Sequence, residues 1–358
     1  MDLKTLVEKL LNDVIEVEFE KFIGASLYKR TAERNTHNGT KIYRNGYRTR
    51  KLNTTFGTIT LRIPRTNKVP FLPSFIERYK RNTTELNHLI QQMYINGVST
   101  AKVNKCVKVL GIDNISKSQV SRITDALKTT ITTQDLYDKQ YNALYIDATY
   151  EKVRVQNKVR LCAMITILGY TKNGNDIIAV YPMPDESKKS YSMILNDLKW
   201  RGLNAPQLII SDCAIGLLNA MKEIYPETKY QRCKVHFMRN IFRHLSNKAK
   251  QMLKSKIKHI WHTSNFNTAM ERAKYLYNKY RRKYPLAMKC LMDGIQSTLT
   301  YTLFDDEYLQ HKRIETTNPI ERINREFKRR TKVISVFSSV ASCYKLYSLM
   351  SLSNAINQ

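Results

Sequence analysis

Three acids stand out in a chain that is poor in them. Asp147 ends the apolar run "LYID", Asp212 ends "LIISD", and Glu321 sits in "TTNPIERINREFKRR". Carboxylates brought together from separate elements can hold two divalent cations roughly 4 Å apart. One cation activates a water or hydroxyl, and the other stabilises the leaving oxygen of a phosphodiester. Magnesium suits such a site because it takes hard oxygen ligands and keeps several waters. Plainer roles compete with this one. Asp147 and Asp212 can begin turns or cap the helices that follow. Asn318 as N-cap, Pro319 at the first helical position and Glu321 three residues after the cap form a capping-box pattern, so capping and catalysis draw on one carboxylate. Glu315 and Glu326 are fallback ligands. Glu326 lies five residues beyond Glu321 and points about 140° away on a helix, so only one of that pair can face a site.

The elements that must position these acids are legible in the apolar spacing. "ALYIDATYEKVRV", "KVRLCAMITILGY" and "NDIIAVYPMP" read as three strands in quick succession, with turns at Gln156-Asn157 and Asn173-Gly174. A helix over Ser187 to Trp200, the short strand "PQLIISD", a helix over Ala214 to Ile224 and a strand in "TKYQRCKVH" follow. The order β-β-β-α-β-α-β predicts an α/β sheet opened by an antiparallel meander and closed by a crossover. A carboxylate at a strand end of such a sheet lies on the rim, where ligands bind. After His236 the pattern is helical to about Leu303.

The first third differs. Leu3, Leu6, Val7, Leu10, Leu11, Val14 and Ile15 recur at helical spacing and predict an amphipathic helix that packs in a core or a dimer. Tyr28 to Arg65 reads as turns and short strands, with an Asn-Gly turn at Asn45-Gly46 and Ile59, Leu61 and Ile63 in alternation. Arg44, Arg48, Arg50, Arg62 and Arg65, interleaved with Tyr43 and Tyr47, suit phosphate contact; an exposed basic hairpin is the plainer reading. From Glu85 the spacing is helical. Ser99 caps a helix through Val103, Val107 and Leu110, Gly111 ends it, and Ser116 caps the next, which makes a helix-turn-helix pattern. Lys117, Ser118, Gln119, Ser121 and Arg122 then occupy the first turns of the second helix, from which side chains can reach base edges.

Charge narrows the partners. The 358 residues include 60 Lys plus Arg and 30 Asp plus Glu, a net charge of +30, while 42% are hydrophobic. That composition supports a packed core, and its cationic excess points to a polyanion. No acid occurs between Thr228 and Met270, a span with ten lysines and arginines. No apolar run approaches the roughly 18 residues of a membrane span. Met1 to Glu20 holds six acids and two lysines, the reverse of a signal peptide's basic opening, which predicts a cytoplasmic, nucleoid-associated protein. The six cysteines form no C-x-x-C pair, which argues against a disulfide framework.

"YIDATYEKVR", "IISDCAIGLLNAM", "CKVH" and "TTNPIERINREFKRRTK" resemble the signature blocks of the Mutator-type transposases of prokaryotic insertion sequences. "YRNGYRTRKLNTTFGTITLRIPR", "ERYKR", "MYINGVST" and "SQVSRIT" extend the resemblance over nearly the whole chain, in the family's order. The resemblance implies an RNase H-like α/β catalytic domain with a helical insertion, preceded by an α+β DNA-binding region containing the helix-turn-helix-like segment. The corresponding division is 1–84, 85–135, 140–236, 237–310 (the insertion) and 311–358. It implies a DDE triad of Asp147, Asp212 and Glu321 that holds Mg2+ or Mn2+ and cuts and joins DNA.

The implied partners are double-stranded DNA, as terminal inverted repeats and target, and further copies of the chain in a homodimer or larger assembly. The residues set against DNA are Arg44, Arg48 and Arg50, then Lys117, Gln119 and Arg122, then Lys152 and Arg154. Arg239 and Arg243 follow in the insertion, and Arg322, Arg325, Lys328, Arg329 and Arg330 after the last acid. Cys233 and His236 match the family's Cys-x-x-His element. With His259 and His262 they could form a zinc set, but paired cysteines are absent, so orientation of the active site or of target phosphates is the preferred role. The family commonly has Gly after its second Asp, where this chain has Cys213. An RNase H-like nuclease or resolvase, and a non-catalytic sequence-specific DNA-binding protein, are the alternatives.

Overall fold

The computed structural model describes residues 2–29, 31, 33–112, 115–125, 135–171, 174–304 and 314–352. The chain forms two compact units, Met1–Lys128 and Thr129–Gln358. The interdomain positions 126–134, the Asn173 half of the Asn173-Gly174 turn and positions 305–313, which contain the boundary between insertion and final helices, lie outside the described residues.

In the first unit, helix α1 (Leu3–Ile23) is capped by Asp2, which accepts from the Thr5 N–H, and ends at Gly24 in the left-handed region at φ 69°. Its Ile15, Phe19 and Ile23 pack on Leu52, Ile59, Leu61 and Ile63 of a hairpin. Leu3, Leu6 and Leu10 stay exposed. Only the second half of the amphipathic face is therefore core within the chain. Two short strands, β1 (Thr36–His37) and β2 (Thr40–Lys41), precede the hairpin of β3 (Arg44–Thr54) and β4 (Gly57–Thr66).

The hairpin turns at residues 55–56, since Thr54 pairs with Gly57. Asn45-Gly46 is no turn between strands. It lies inside β3, where the register shifts between Arg44 and Tyr47, and Gly46 at φ 70° supplies the left-handed residue of a bulge. Asn-Gly favours positive φ, and a bulge uses that preference as readily as a turn does.

Helices α2 (Thr84–Ile95), α3 (Thr100–Val109) and α4 (Lys117–Asp125) close around Leu86, Ile90, Val103, Val107, Ile112, Ile115 and Val120. Ser99 caps α3 as expected, accepting from the Lys102 N–H. Before α4, Ser116 Oγ accepts from the Gln119 N–H at 3.2 Å while Gln119 Oε1 accepts from the Ser116 N–H at 2.9 Å. That reciprocal pair is a capping box, and it commits part of the Gln119 amide to the backbone.

The second unit is built on a five-stranded mixed sheet: β5 (Ala143–Val155), β6 (Lys158–Thr171), β7 (Gly174–Met183), β8 (Leu208–Ser211) and β9 (Lys229–Arg232), in the order β7-β6-β5-β8-β9. β5, β6 and β7 form the antiparallel meander, and β8 and β9 add in parallel. Gln156 and Asn157, both at positive φ, make the tight β5–β6 turn. Helices α5 (Lys188–Trp200) and α6 (Ile215–Ile224) supply the crossovers and cover Leu144, Ile146, Ile165, Ile167 and Ile209 on one face. This is the mixed α/β sheet that the strand order predicts.

From β9 the chain enters four helices, α7 (Lys234–Arg243), α8 (Asn247–His259), α9 (Phe266–Tyr280) and α10 (Pro285–Gly294), which share a separate core. Trp261 belongs to that core, and its indole N–H donates to Thr298 Oγ1 at 3.1 Å. Gln231 of β9, fully buried, donates to the Thr298 carbonyl and accepts from the Tyr301 N–H, so the far end of the helical layer is tied back to the sheet. Two further helices, α11 (Asn318–Thr331) and α12 (Val340–Leu352), return to the sheet. Ile320 of α11 packs with Ala143, Tyr145, Leu168, Tyr170, Leu208 and Ile210 on the face opposite α5 and α6. All six cysteines are free thiols.

Candidate active site

Strand periodicity decides what meets α11. Side chains at 143, 145, 147, 149 and 151 of β5 share one face. Ala143 and Tyr145 fill the core beneath α11. Further along the same face, the Thr149 hydroxyl contacts the Tyr347 hydroxyl at 2.9 Å, and Glu151 accepts from Thr331 Oγ1 and Tyr347 OH. Asp147 lies between these two zones. It is the fifth of thirteen residues in β5, so it does not end a strand as its sequence context suggests. It does mark the point where parallel pairing stops, because β8 pairs with β5 only over Ala143, Leu144 and Tyr145. Asp212 directly follows β8. Both acids therefore stand where the parallel strands finish, the rim at which α/β sheets bind ligands.

Glu321 arrives from the other side, in the first turn of α11. The capping box expected there is not formed. The helix starts one residue earlier, with Thr317 as its cap and no side-chain capping bond, and the Glu321 carboxylate is turned instead toward Thr317 Oγ1 at 2.8 Å. The carboxylate is thus free of the backbone. The fallback acids are committed elsewhere: Glu315 pairs with Lys234, and Glu326 pairs with Arg329 and Arg330.

His236, in the first turn of α7, stands between two of the three acids. Its Nδ1 is 4.0 Å from Asp212 Oδ1, and its Nε2 is 3.7 Å from Glu321 Oε1. Both separations are too long for hydrogen bonds. The imidazole pKa is raised to about 9 by the adjacent Cys233 sulfur first and then by the carboxylates of Asp212 and Glu321, with burial opposing. Cys233 is fully buried at the start of α7. Burial would push its thiol up, but hydrogen bonds from His236 and Thr317 outweigh it and bring the pKa below the ordinary value. The Thr317 N–H lies 3.4 Å and its hydroxyl 3.2 Å from that sulfur. Cys233, His236 and Glu321 can each present a ligand atom within 4.8 Å of the others. His259 and His262, whose rings lie 5.8 Å apart at the end of α8, do not join that group.

Asn324, which the sequence reading passed over, completes the cluster. It is buried one turn after Glu321, its Nδ2 donates to Asp147 Oδ2 at 2.8 Å, and its Oδ1 accepts from the Thr166 hydroxyl at 3.2 Å. Thr166 is directly opposite Asp147 in the β5–β6 register. Burial raises the Asp147 pKa, the Asn324 hydrogen bond opposes that, and the Asp212 charge adds to it. A sequence signal for Asn324 did exist. Ile320, Asn324, Phe327 and Thr331 form the buried stripe of α11, and an amide in such a stripe needs a polar partner.

Cys213 occupies the left-handed region at φ 64°, with its N–H donating to Tyr230 OH at 2.8 Å. The residue after Asp212 thus takes a conformation that suits glycine.

The basic residues divide by their neighbours. Arg48, Lys117, Arg122, Lys152, Arg154, Arg239, Arg243, Arg322 and Arg325 are exposed, and Arg50 is half-buried with bonds to the Glu77 and Lys80 carbonyls. Arg44 is held by Glu16 at 2.8 Å and lies over the Phe19 ring. Lys328 bonds to Glu151 at 3.0 Å and to the Tyr150 carbonyl, and exposed Arg329 pairs with Glu326. Arg330 is 3% exposed and packs as part of the fold, so it offers no surface for a strand of DNA.

Comparison with known proteins identifies the family. A family model described as transposase, Mutator family, matches residues 2–357. The chain is 34% identical over 349 residues to the transposase for insertion sequence element IS256 in transposon Tn4001 of Staphylococcus aureus, covering 96% of this chain and 87% of that one. It is 30% identical over 347 residues to the transposase for insertion sequence element ISRM5 of Rhizobium meliloti, with 96% and 85% covered. A solved Drosophila P element transposase strand transfer complex aligns over 78% of this chain and 80% of its own, at 10% identity and a TM-score of 0.32.

The chain belongs to the Mutator family of transposases. It is a transposase, as its resemblance to that family implies. No helix among the described residues is long and apolar enough to cross a membrane.

Proposed function

We propose that this transposase breaks and joins DNA strands at a divalent-metal site formed by Asp147, Asp212 and Glu321, on an RNase H-like sheet. One observation carries the proposal. Bases outnumber acids 60 to 30 in this chain, yet among the described residues none of these three acids is paired with a lysine or arginine. The nearby acids Glu151, Glu315 and Glu326 are all so paired. Carboxylates left without a lysine or arginine partner in so cationic a protein point to a functional site that takes another cation.

The donor set suits the hard cations Mg2+ and Mn2+ in kind, although among the described residues the three acids do not meet within 4.8 Å as Cys233, His236 and Glu321 do. It offers carboxylate oxygens from three elements, and Asp212, with 52% of its side chain exposed, leaves the cluster open to substrate. His236 Nδ1 is buried, meets no hydrogen-bond geometry among the described residues, and stands 4.0 Å from Asp212 Oδ1. When bound, the metal supplies Lewis acidity to activate a water or a 3′-hydroxyl and to stabilise the leaving oxygen. The chain's own part is positional. Asn324 fixes the Asp147 carboxylate, Thr317 holds that of Glu321, and His236 stands between Asp212 and Glu321. Water attacks the phosphodiester at the element end and the 3′-oxygen leaves as a hydroxyl; that hydroxyl then attacks a target phosphodiester in line, forming the new P–O bond as the target's own 3′-oxygen departs, with no covalent intermediate on the protein.

Exposed Arg48, Lys117, Arg122, Lys152, Arg154, Arg239, Arg243, Arg322 and Arg325 are the proposed DNA contacts, with α3 and α4 as a helix-turn-helix-like reader of the element's terminal inverted repeats. Arg44, Arg50, Gln119, Lys328 and Arg329 also serve there where their internal bonds allow. Two or more copies on paired ends form the proposed working unit.

The experiment uses purified protein, labelled end-sequence DNA, a target plasmid and Mg2+. Asp147→Ala, Asp212→Ala and Glu321→Ala should each abolish joined product while leaving binding to end DNA intact. Full joining by any one of the three removes that residue from the site. Cleavage without joining by the unaltered protein would assign a nuclease, and binding without chemistry a regulator.

A further inference from the structure

The helical layer contains a feature that the acid cluster does not use. Between α8 and α9 runs an open groove of about 750 Å³, lined by Lys256, His259, Arg272, Tyr275, Lys279 and Tyr280 among others. Glu271 is the one acid among the lining residues described. Arg272 is spent on structure, donating to the His259 and His262 carbonyls at 2.9 and 3.0 Å. The two lysines behave differently. Lys279 Nζ donates to the Tyr275 hydroxyl at 3.0 Å, and Lys256 Nζ to the Tyr280 hydroxyl at 2.8 Å. Their ammonium groups are 5.3 and 5.5 Å from the respective ring centres.

A cation that bonds the hydroxyl sits at the rim of the ring, so the aromatic face stays open. Tyr275 is 61% exposed, a large ring held at solvent by no core contact that would explain it. The pattern repeats along the same stretch, with Arg281 5.7 Å from the Tyr277 ring and Lys283 5.7 Å from the Tyr284 ring. Duplex DNA offers phosphates to such a wall but keeps its bases stacked inside, where a tyrosine in a groove cannot meet them. Unpaired nucleotides offer both groups, and alternating cations and rings are how proteins hold single strands.

We propose that the α8–α9 groove binds unpaired nucleotides of a DNA single strand, with a base stacked on Tyr275 and flanking phosphates at Lys256 and Lys279. The inference rests on the reading of DNA as substrate and adds a site for the strand that cleavage leaves unpaired.

The test compares the full chain with Tyr275→Ala and Tyr275→Phe, by fluorescence anisotropy on labelled oligo(dT) and on a blunt duplex of equal length at one salt concentration. Tyr275→Ala should weaken single-strand binding about tenfold, the loss of one stacked base. Duplex binding should stay within about twofold, and Tyr275→Phe should retain single-strand affinity. Equal losses on both DNAs would reduce the groove to a general cationic surface and overturn the proposal. So would unchanged single-strand binding by Tyr275→Ala, or none by the unaltered chain. Failure of the strand-joining reading shows separately, as joined product from an Asp147→Ala protein, whatever the groove binds.

Discussion

Asn324 donates from Nδ2 to Asp147 Oδ2 at 2.8 Å, and the Thr166 hydroxyl, opposite Asp147 in the sheet, fixes which end of the amide faces the acid. Asn324→Ala removes the donor, and Asn324→Asp also sets a second carboxyl beside an acid already pressed by burial. Losses from removing such supporting groups run about 10- to 100-fold. The expected order of strand-joining rates is unaltered protein, then Asn324→Ala, then Asn324→Asp. End-DNA binding should be equal in all three. Single-turnover joining at saturating DNA, repeated across a Mn2+ titration, checks this, because a positioning role also raises the metal concentration needed for half-maximal rate.

Cys213 holds a left-handed backbone at φ 64°. That conformation costs a non-glycine residue about 1–2 kcal/mol, and glycine returns about 0.5–1 kcal/mol through its unfolded-state freedom. Cys213→Gly should therefore stabilise the protein by about 0.5–1 kcal/mol, and Cys213→Val should destabilise it. Urea unfolding midpoints at constant slope distinguish the two.

His236 should remain protonated well above neutral pH in metal-free protein. Its pKa is raised to about 9, chiefly by Cys233 and then by Asp212 and Glu321, so the ring carries its proton at pH 7.5 where an ordinary histidine has lost it. Imidazole resonances followed by NMR between pH 5 and 10 report this directly. Cys233→Ser removes the largest cause and should bring the midpoint down toward the ordinary value. A midpoint that does not move would assign the effect to the carboxylates alone.

Chelation should separate binding from chemistry. EDTA is expected to stop strand joining, added Mg2+ or Mn2+ to restore it, and end-DNA binding to persist throughout. Zinc should be substoichiometric in purified protein, because the Cys233 sulfur is already engaged by Thr317 and His259 and His262 lie outside its cluster. Metal analysis after gel filtration decides this.

The limits of reading the sequence follow from what each signal measures. Apolar runs ending in Asp147 and Asp212 mark the rim of the parallel pairing, although Asp147 lies mid-strand. The strand "ALYIDATYEKVRV" is legible to its end, so it is the apolar run, not the strand, that stops at Asp147. The Asn45-Gly46 pair reports positive φ and nothing about what uses it, here a bulge. The capping pattern at Asn318 has the right spacing, but a helix that starts at Asn318, with Thr317 as its cap, leaves the Glu321 carboxylate near His236. Asn324 was hardest to see, since its role depends on a strand nearly 180 residues away in the chain. Local spacing carries the elements; it does not carry the partner of a polar residue on a buried stripe.

The order in which the acids occur along the chain has a consequence for synthesis. Asp147 and Asp212 leave the ribosome well before α11, so the cluster is complete only when the last tenth of the protein has been made. A message cut short before Glu321 yields a product with the whole N-terminal unit and both aspartates but without the third acid. On the proposed roles of the N-terminal unit and Glu321, such a product is expected to occupy element ends without cutting them, so premature termination would make an inhibitor as well as remove an enzyme.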